Sequence, residues 1–420
     1  MTGSSGRGET RPFALSIYWF AWEVHWAALL GAAMQAQVAR FIEPTFIGRA
    51  TAVLGGLGAI CSIAAQLAAG RASDRRGKRM PFIVTGTMLD VVALFGFALA
   101  PSFAVVVAAF AAVQLSLNIA GGPYQALIPD RVPKARLGRA SAVMGLFRLS
   151  GSLAGLALAH VLVKQPGSAV SASQLTHGLL LLAGVLSAVL LAALAVTVGG
   201  VQEDRAGAVQ REARGASWPM RKSFAALLVS RVFVSLGLYS VLPFFAFYLE
   251  FALHVRNYLQ TSVALLIVMN ACSLVGTWPA GVAGDRVSKK KIMAAAIGLL
   301  AIASASMAAV HEERMLTGLA IGLGVGWGAY YSVDWALACN LLPAGRAGSL
   351  MAVWNIGASA PQVAAPVIGG LLVDRIATLR GDPGAAYRDL FLLISGFLIL
   401  GAATLIFVRE AAEGKKLRTE

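Results

Sequence analysis

Residues 178–197 read GLLLLAGVLSAVLLAALAVT, twenty positions without one charged side chain. The hydrocarbon core of a bilayer takes about 20 mainly apolar residues per helical crossing. The alternative spanning structure, a closed barrel, is built from strands that alternate apolar and polar residues, and this run does not alternate. It reads as a transmembrane helix. Working outward, the same reading predicts spans at 13–37, 46–69, 81–101, 103–127, 140–163 and 178–199, then at 224–250, 260–282, 292–310, 313–338, 348–373 and 388–408. The chain is therefore predicted to be an all-α integral membrane protein of twelve transmembrane helices.

The composition agrees. Hydrophobic residues make up 58% of the 420 positions and charged residues 13%, with a mean hydropathy of +0.72. An ordinary soluble domain is about half apolar and about a quarter charged. Met1 to Pro12 are polar, and the first apolar stretch is longer than the core of a cleavable leader and has no small-residue cleavage site after it, so the first span is expected to remain. Cys61, Cys272 and Cys339 fall within or beside spans without metal-ligand spacing and read as small buried hydrophobes, with no metal or cofactor implied.

The formal charge of +15 is confined to particular connections. Arg71, Arg75, Arg76, Lys78 and Arg79 follow the second span, and Arg131, Lys134, Arg136 and Arg139 the fourth. Arg205, Arg211, Arg214, Arg221 and Lys222 lie between the sixth and seventh, and Arg286, Lys289, Lys290 and Lys291 follow the eighth. The odd-numbered connections are poorer in basic residues. Basic loops stay on the cytoplasmic side, so both termini are expected to be cytoplasmic and no nucleic-acid partner is expected.

The polar segment 201–222 reads as a cytoplasmic linker between an N-terminal bundle, 1–200, and a C-terminal one, 223–420. Laid over each other, the halves repeat. Gly70, Asp74, Arg75 and Lys78 match Gly281, Asp285, Arg286 and Lys289 in one register; Ala126, Leu127, Pro133, Gly138 and Arg139 match Ala336, Leu337, Pro343, Gly345 and Arg346, with three residues fewer before the glycine. The second match sets Arg148 opposite Asn355. Repeated bundles of this kind mark secondary transporters, which bind solute between the halves near the midplane.

The stretch from Gly70 to Arg79 resembles the signature G-x-x-x-D-R-x-G-R/K-R/K that the major facilitator superfamily carries between its second and third helices. The resemblance extends over essentially the whole chain and implies two pseudo-symmetric six-helix bundles, working as a monomer. In that family the glycine permits close helix contact, and the aspartate faces a helix N-terminus and a basic partner, latching the cytoplasmic side. Carried over, Gly70, Asp74, Arg75, Gly77 and Lys78 form the gate, with Asp285 and Arg286 as a weaker copy in which Ser288 replaces the glycine. Carboxylates are stabilised at helix N-termini and by arginine. Two segments narrow the branch. Residues 73–83 are similar to the S-D…G-R-R-R-P-F-I segment of sucrose/proton symporters, and residues 123–130 resemble the P-x-x-A-L-x-x-D that ends helix four there and in glycoside-pentoside-hexuronide symporters.

Ionisable residues deep in a span cost about 2.5–3.5 kcal/mol on insertion scales and normally face a cavity or a partner. Those here are Glu23 with His25, Asp90, Arg148 and Asp334; Arg231 and Glu250, nearer the ends of the seventh span, read as snorkelling residues. Trp19, Trp22, Glu23 and Trp26 share one helical face, as do Trp327, Tyr330, Tyr331 and Asp334. Such rings offer flat apolar faces to a sugar, or form an interfacial belt. Polar amides line the fourth and eleventh spans, where Asn118, Asn355 and Gln362 are candidate ligands or interhelical glue. The candidate solute and proton site is thus Trp22, Glu23, Trp26, Asp90, Asn118, Arg148, Tyr330, Tyr331, Asp334, Asn355 and Gln362.

The expected function is transport of a small solute, a sugar or glycoside, by alternating access across a bacterial inner membrane. A proton is the expected coupling ion and sodium the alternative. A proton-driven exporter of drugs or amphipathic lipids is the competing reading, weakened because the fifth span reads Gly151-Ser152-Leu153-Ala154-Gly155 without the proline of the G-P-x-x-G-G motif usual in the family's antiporters. A receptor that binds without transporting is disfavoured by the repeat. No nucleophile and base, HExxH or P-loop suggests an enzyme.

Overall fold

The computed structural model describes residues 12–43, 47–163, 171–201, 218, 220–256, 258–343 and 345–410, and every regular element among them is helical. In the first half, α1 (Pro12–Ala28) passes through one π turn (Leu29–Ala33) into α2 (Met34–Phe41). There follow α3 (Ile47–Arg76), α4 (Met80–Ala98), α5 (Phe103–Gln125), a short α6 (Leu127–Arg131), α7 (Leu137–Leu162) and α8 (Ala172–Gly200). The second half holds α9 (Arg221–Phe251), α10 (Tyr258–Gly284), α11 (Lys289–Ala308), α12 (Arg314–Leu341), α13 (Ala347–Arg380) and α14 (Pro383–Thr404). Each predicted span has its helix. The expected linker lies outside the described residues except for Val201, Trp218 and 220–222, as do Met1 to Arg11.

Among the described residues, ten helical stretches are long and apolar enough to cross a membrane. The two that fall short are the first span, divided by the π turn, and α12, which carries Trp327, Tyr330, Tyr331 and Asp334. Those are the two spans whose aromatic and acidic rows suggested a site. Large apolar side chains such as Val92, Ile302, Val275 and Leu371 stand exposed on their helices, as expected where lipid is the solvent.

Local sequence accounts for the helix ends. Ser102, Ser171, Ser288 and Asp382 cap α5, α8, α11 and α14 by accepting backbone N–H groups, Ser171 within a capping box with Gln174. The stretch Gly70 to Arg76, predicted as loop, is the last two turns of α3. Arg75 and Arg76 complement the C-terminal dipole, and Gly77 ends the helix with φ 66°, its N–H donating to the Ser73 carbonyl at 2.9 Å.

By contact the chain divides into two units. The first comprises residues 1–132, 147–216 and 344–352; the second comprises 133–146, 217–343 and 353–420. In the first unit the main pairings run α1 with α8, α8 with α4, α4 with α5 and α5 with α3. In the second they run α9 with α14, α14 with α11, α11 with α12 and α12 with α10. Substituting each helix by its counterpart turns one series into the other, so the sequence repeat is a repeat of packing.

Side-chain to backbone bonds tie further helices together within each unit. In the first unit Tyr124 donates to the Leu15 carbonyl (2.5 Å), Thr197 to that of Ala14 (3.2 Å) and Gln37 to that of Phe97 (2.6 Å). In the second, Tyr248 donates to Met307 (2.6 Å), Ser230 to Gly401 (2.7 Å) and Ser395 to Ala301 (3.0 Å). Small residues let backbones meet: a Cβ on Gly328 of α12 would collide with the Ser273 backbone of α10. Gly328→Val is therefore expected to cost about 1–3 kcal/mol or more by overpacking, seen as a lowered unfolding temperature in detergent; an unchanged temperature would show that the two helices can part freely.

Candidate functional site

In the first unit, α1 carries its row of indoles toward α5 and α7. Trp22 is buried, its ring against Gly121, and lies between Trp19 (ring centroids 6.0 Å) and the half-buried Trp26 (6.2 Å). Glu23 points to α7, where Arg148 donates from Nε and one terminal nitrogen to the same carboxylate oxygen, Oε1. The guanidinium of Arg148 lies over the Trp19 ring, 4.6 Å from its centroid. This pair is partly open, with side-chain exposures of 20% and 19%.

Asp90 of α4 is fully buried and sits away from that row. Ser116 donates to its Oδ1 at 3.2 Å, and Nε2 of His25 lies 3.2 Å from its Oδ2. Asn118 is occupied between helices: its Oδ1 accepts from Gln66 (2.5 Å) and Ser62 (3.0 Å) of α3, and its Nδ2 donates to the Gln114 carbonyl (2.7 Å).

In the second unit Asp334 and Tyr330 are buried one turn apart on α12, and Tyr331 is half-buried. Arg231 of α9 bonds Asp334 and lies over the Trp354 ring at 4.7 Å. Exposures of 6% and 1% mark this pair as closed. Arg231, read from sequence as snorkelling, is thus the buried partner of the acid. The available signal was that Asp334 needs a cation at its depth, and Arg231 is the basic residue furthest inside any span of the second half. Asn355 of α13, the counterpart of Arg148, is half-buried and Gln362 is exposed. Each unit therefore holds an arginine stacked on tryptophan and paired to a carboxylate, assembled from different helices.

At the ends of α3 and α10 the repeated signature makes matching contacts. Within the first unit Asp74 accepts the N–H groups of Gly348 (3.0 Å) and Ser349 (2.8 Å) in the first turn of α13. Within the second, Asp285 accepts those of Gly138 (2.8 Å) and Arg139 (3.1 Å) in the first turn of α7. A Cβ at Gly70 would meet the Gly348 carbonyl at 2.6 Å, and one at Gly281 that of Gly138 at 2.7 Å. Arg75, Lys78 and Arg286 are exposed. The cation at Asp74 is Arg79, which contacts Asp74 (2.6 Å) and Asp130 (3.1 Å) and donates to Ser73 (2.6 Å). Burial opposes its charge, but Asp130 and Asp74 more than offset that and hold the guanidinium above its ordinary pKa. The corresponding Lys290 instead donates to the carbonyls of Ile406 and Val408.

Among the described residues no cluster of His, Cys, Asp and Glu has a metal-binding arrangement. Twelve predicted spans, two repeated units and a buried or partly buried ion pair in each unit are the build of a multi-pass membrane protein. The family model for the Major Facilitator Superfamily matches residues 12–278 and 227–420, and the chain belongs to that superfamily. It is a transporter of a small solute and not an enzyme.

Solved structures share the fold. The E. coli fucose:proton symporter FucP superposes with a TM-score of 0.73 at 13% identity, over 96% of this chain and 100% of that one. A bacterial homologue of the iron transporter ferroportin, in an outward-facing state, gives 0.71 at 14% over 94% and 97%. The human organic anion transporter TETRAN gives 0.68 at 16% over the same shares. No curated protein sequence matches the chain.

Proposed function

We propose that the chain is a proton-coupled carrier of a sugar or glycoside, akin to the sucrose/proton and glycoside-pentoside-hexuronide symporters, working as a monomer in a bacterial inner membrane with both termini cytoplasmic. The observation that carries this reading is the partly open Glu23–Arg148 pair beside Trp19, Trp22 and Trp26. The indoles offer faces to the C–H side of a sugar ring, and the ion pair offers donors and acceptors to its hydroxyls. Protonation of Glu23 or Asp90 changes the charge Arg148 and its surroundings present, so solute binds one protonation state better than the other. The carboxylates Asp74 and Asp285, capping α13 and α7, act as the cytoplasmic gate. Its other members are Gly70, Arg75, Gly77, Lys78 and Arg286.

The test is counterflow of labelled sucrose and maltose into proteoliposomes. Wild type is expected to exchange one of them and Arg148→Ala to lose the exchange. Silence of wild type across both sugars would sink the sugar reading and favour the exporter of amphipathic compounds. Glu23→Gln is expected to leave the fold intact, because the glutamine carbonyl can still accept from Arg148. It is also expected to abolish accumulation driven by a pH gradient; accumulation surviving in Glu23→Gln would move the coupling role to Asp90.

A further inference from the structure

His25 lies two residues beyond Glu23, about 200° around the α1 helix. Glu23 faces α7 and meets Arg148, whereas His25 faces α4 and meets Asp90. Both His25 and Asp90 are wholly inaccessible, with exposures of 0%. Nε2 and Oδ2 stand 3.2 Å apart. Yet among the described residues neither ring nitrogen of His25 nor Oδ2 of Asp90 makes a hydrogen bond of good geometry. Buried polar atoms left in that condition are rare and costly.

Among the described residues, the helices packed beside the pair bring few other ionisable groups. Asp90 is the one ionisable residue of α4, Tyr124 the one of α5, and α8 brings only His177, which is exposed near its start. On α1 itself, Tyr18 is hydrogen-bonded to Thr87 of α4 (2.6 Å) and packs on Tyr124, while Glu23 is spent on Arg148 of α7. The pair therefore carries a net charge of −1 without a proton and 0 with one. Charge without a counter-charge is costly inside a span.

We infer that His25 and Asp90 form a proton-binding site of their own, separate from the Glu23–Arg148 pair and set on the opposite face of α1. One proton held between Nε2 and Oδ2 satisfies both atoms and cancels the buried charge. The site binds its proton while sealed and releases it when α1 and α4 separate enough to admit water. Trp26 links the two sites, since its ring lies edge-on to His25 (4.8 Å) and beside Trp22 (6.2 Å). Displacement of the indoles by solute thus bears directly on the seal over His25. The inference rests on the proton-coupled reading for its purpose, but its existence is tested without any solute.

The experiment is nitrogen NMR of the full chain in lipid nanodiscs, with its 5 histidines labelled and His25 assigned by its loss in His25→Gln. The pH response of the His25 ring-nitrogen signals is expected to change in Asp90→Asn, its partner in the shared proton, and to stay the same in Glu23→Gln. A wild-type His25 that keeps one protonation state from about pH 5 to 9 overturns the inference whether or not the variants fold. An unchanged pH response of His25 in Asp90→Asn does the same. Accumulation of labelled sucrose under a pH gradient tests the carrier reading separately: its absence, with the linked titration present, removes that reading and leaves the proton site standing.

Discussion

Asp334→Ala is expected to destabilise the second unit by about 3–5 kcal/mol, the cost of leaving a buried guanidinium without its counter-charge. Arg231 is enclosed at 6% exposure, stacked on Trp354 and bonded to Asp334, so it has no route to water when the acid is removed. Adding Arg231→Leu to Asp334→Ala is expected to restore most of the loss, because replacing both partners of a buried pair by apolar groups is often neutral or stabilising. Thermal unfolding in detergent measures both variants. A single variant as stable as wild type would show that Arg231 finds another anion, and a double variant no better than the single would show that the damage is a cavity and not a charge. An arginine–carboxylate pair is partly open in one unit and sealed in the other, so Asp334→Ala is expected to cost more stability than Glu23→Gln.

Arg79→Ala is expected to cost about 3–5 kcal/mol as well, whereas Arg75→Ala, four residues earlier and exposed, is expected to stay within about 0.5 kcal/mol of wild type. Removing Arg79 leaves Asp74 and Asp130 as two enclosed carboxylates sharing one vacated site. Asp74 retains the N–H groups of Gly348 and Ser349 but then faces Asp130 with no cation between them. Urea or heat unfolding of the two variants side by side decides between them. Equal effects would mean that the exposed arginine, and not the buried one, holds the signature in place.

The fold was legible because lipid imposes one constraint on every span, and length plus hydropathy report it directly. The repeat around Asp74 and Asp285 was legible because glycine, acid and base recur at fixed spacing. Which base meets the acid was not legible. Arg71, Arg75, Arg76, Lys78 and Arg79 are alike in sequence, and the end of α3 at Gly77 decides that Arg79 turns inward. The partners His25–Asp90 and Arg231–Asp334 were hidden for a related reason. They join residues 65 and 103 positions apart, and a helix crossing that brings them together leaves no mark in local periodicity. Asn118 shows the converse, since an amide spaced for a ligand is equally spaced to bind Gln66 of α3.

The π turn at Leu29–Ala33 has a consequence for which changes the chain tolerates. A π turn is an α-helix with one residue too many, and each residue advances the helix by about 100°. Before it, Tyr18 and His25 dock on α4; after it, Gln37 reaches the Phe97 carbonyl and Arg40 reaches Thr176 of α8. A deletion of one residue between 29 and 33 would heal the hydrogen-bond ladder yet rotate one set of contacts away from its partners. The first span is thus a place where a shorter gene product gains a more regular helix and loses its fit, so length variation there should be selected against far more strongly than substitution.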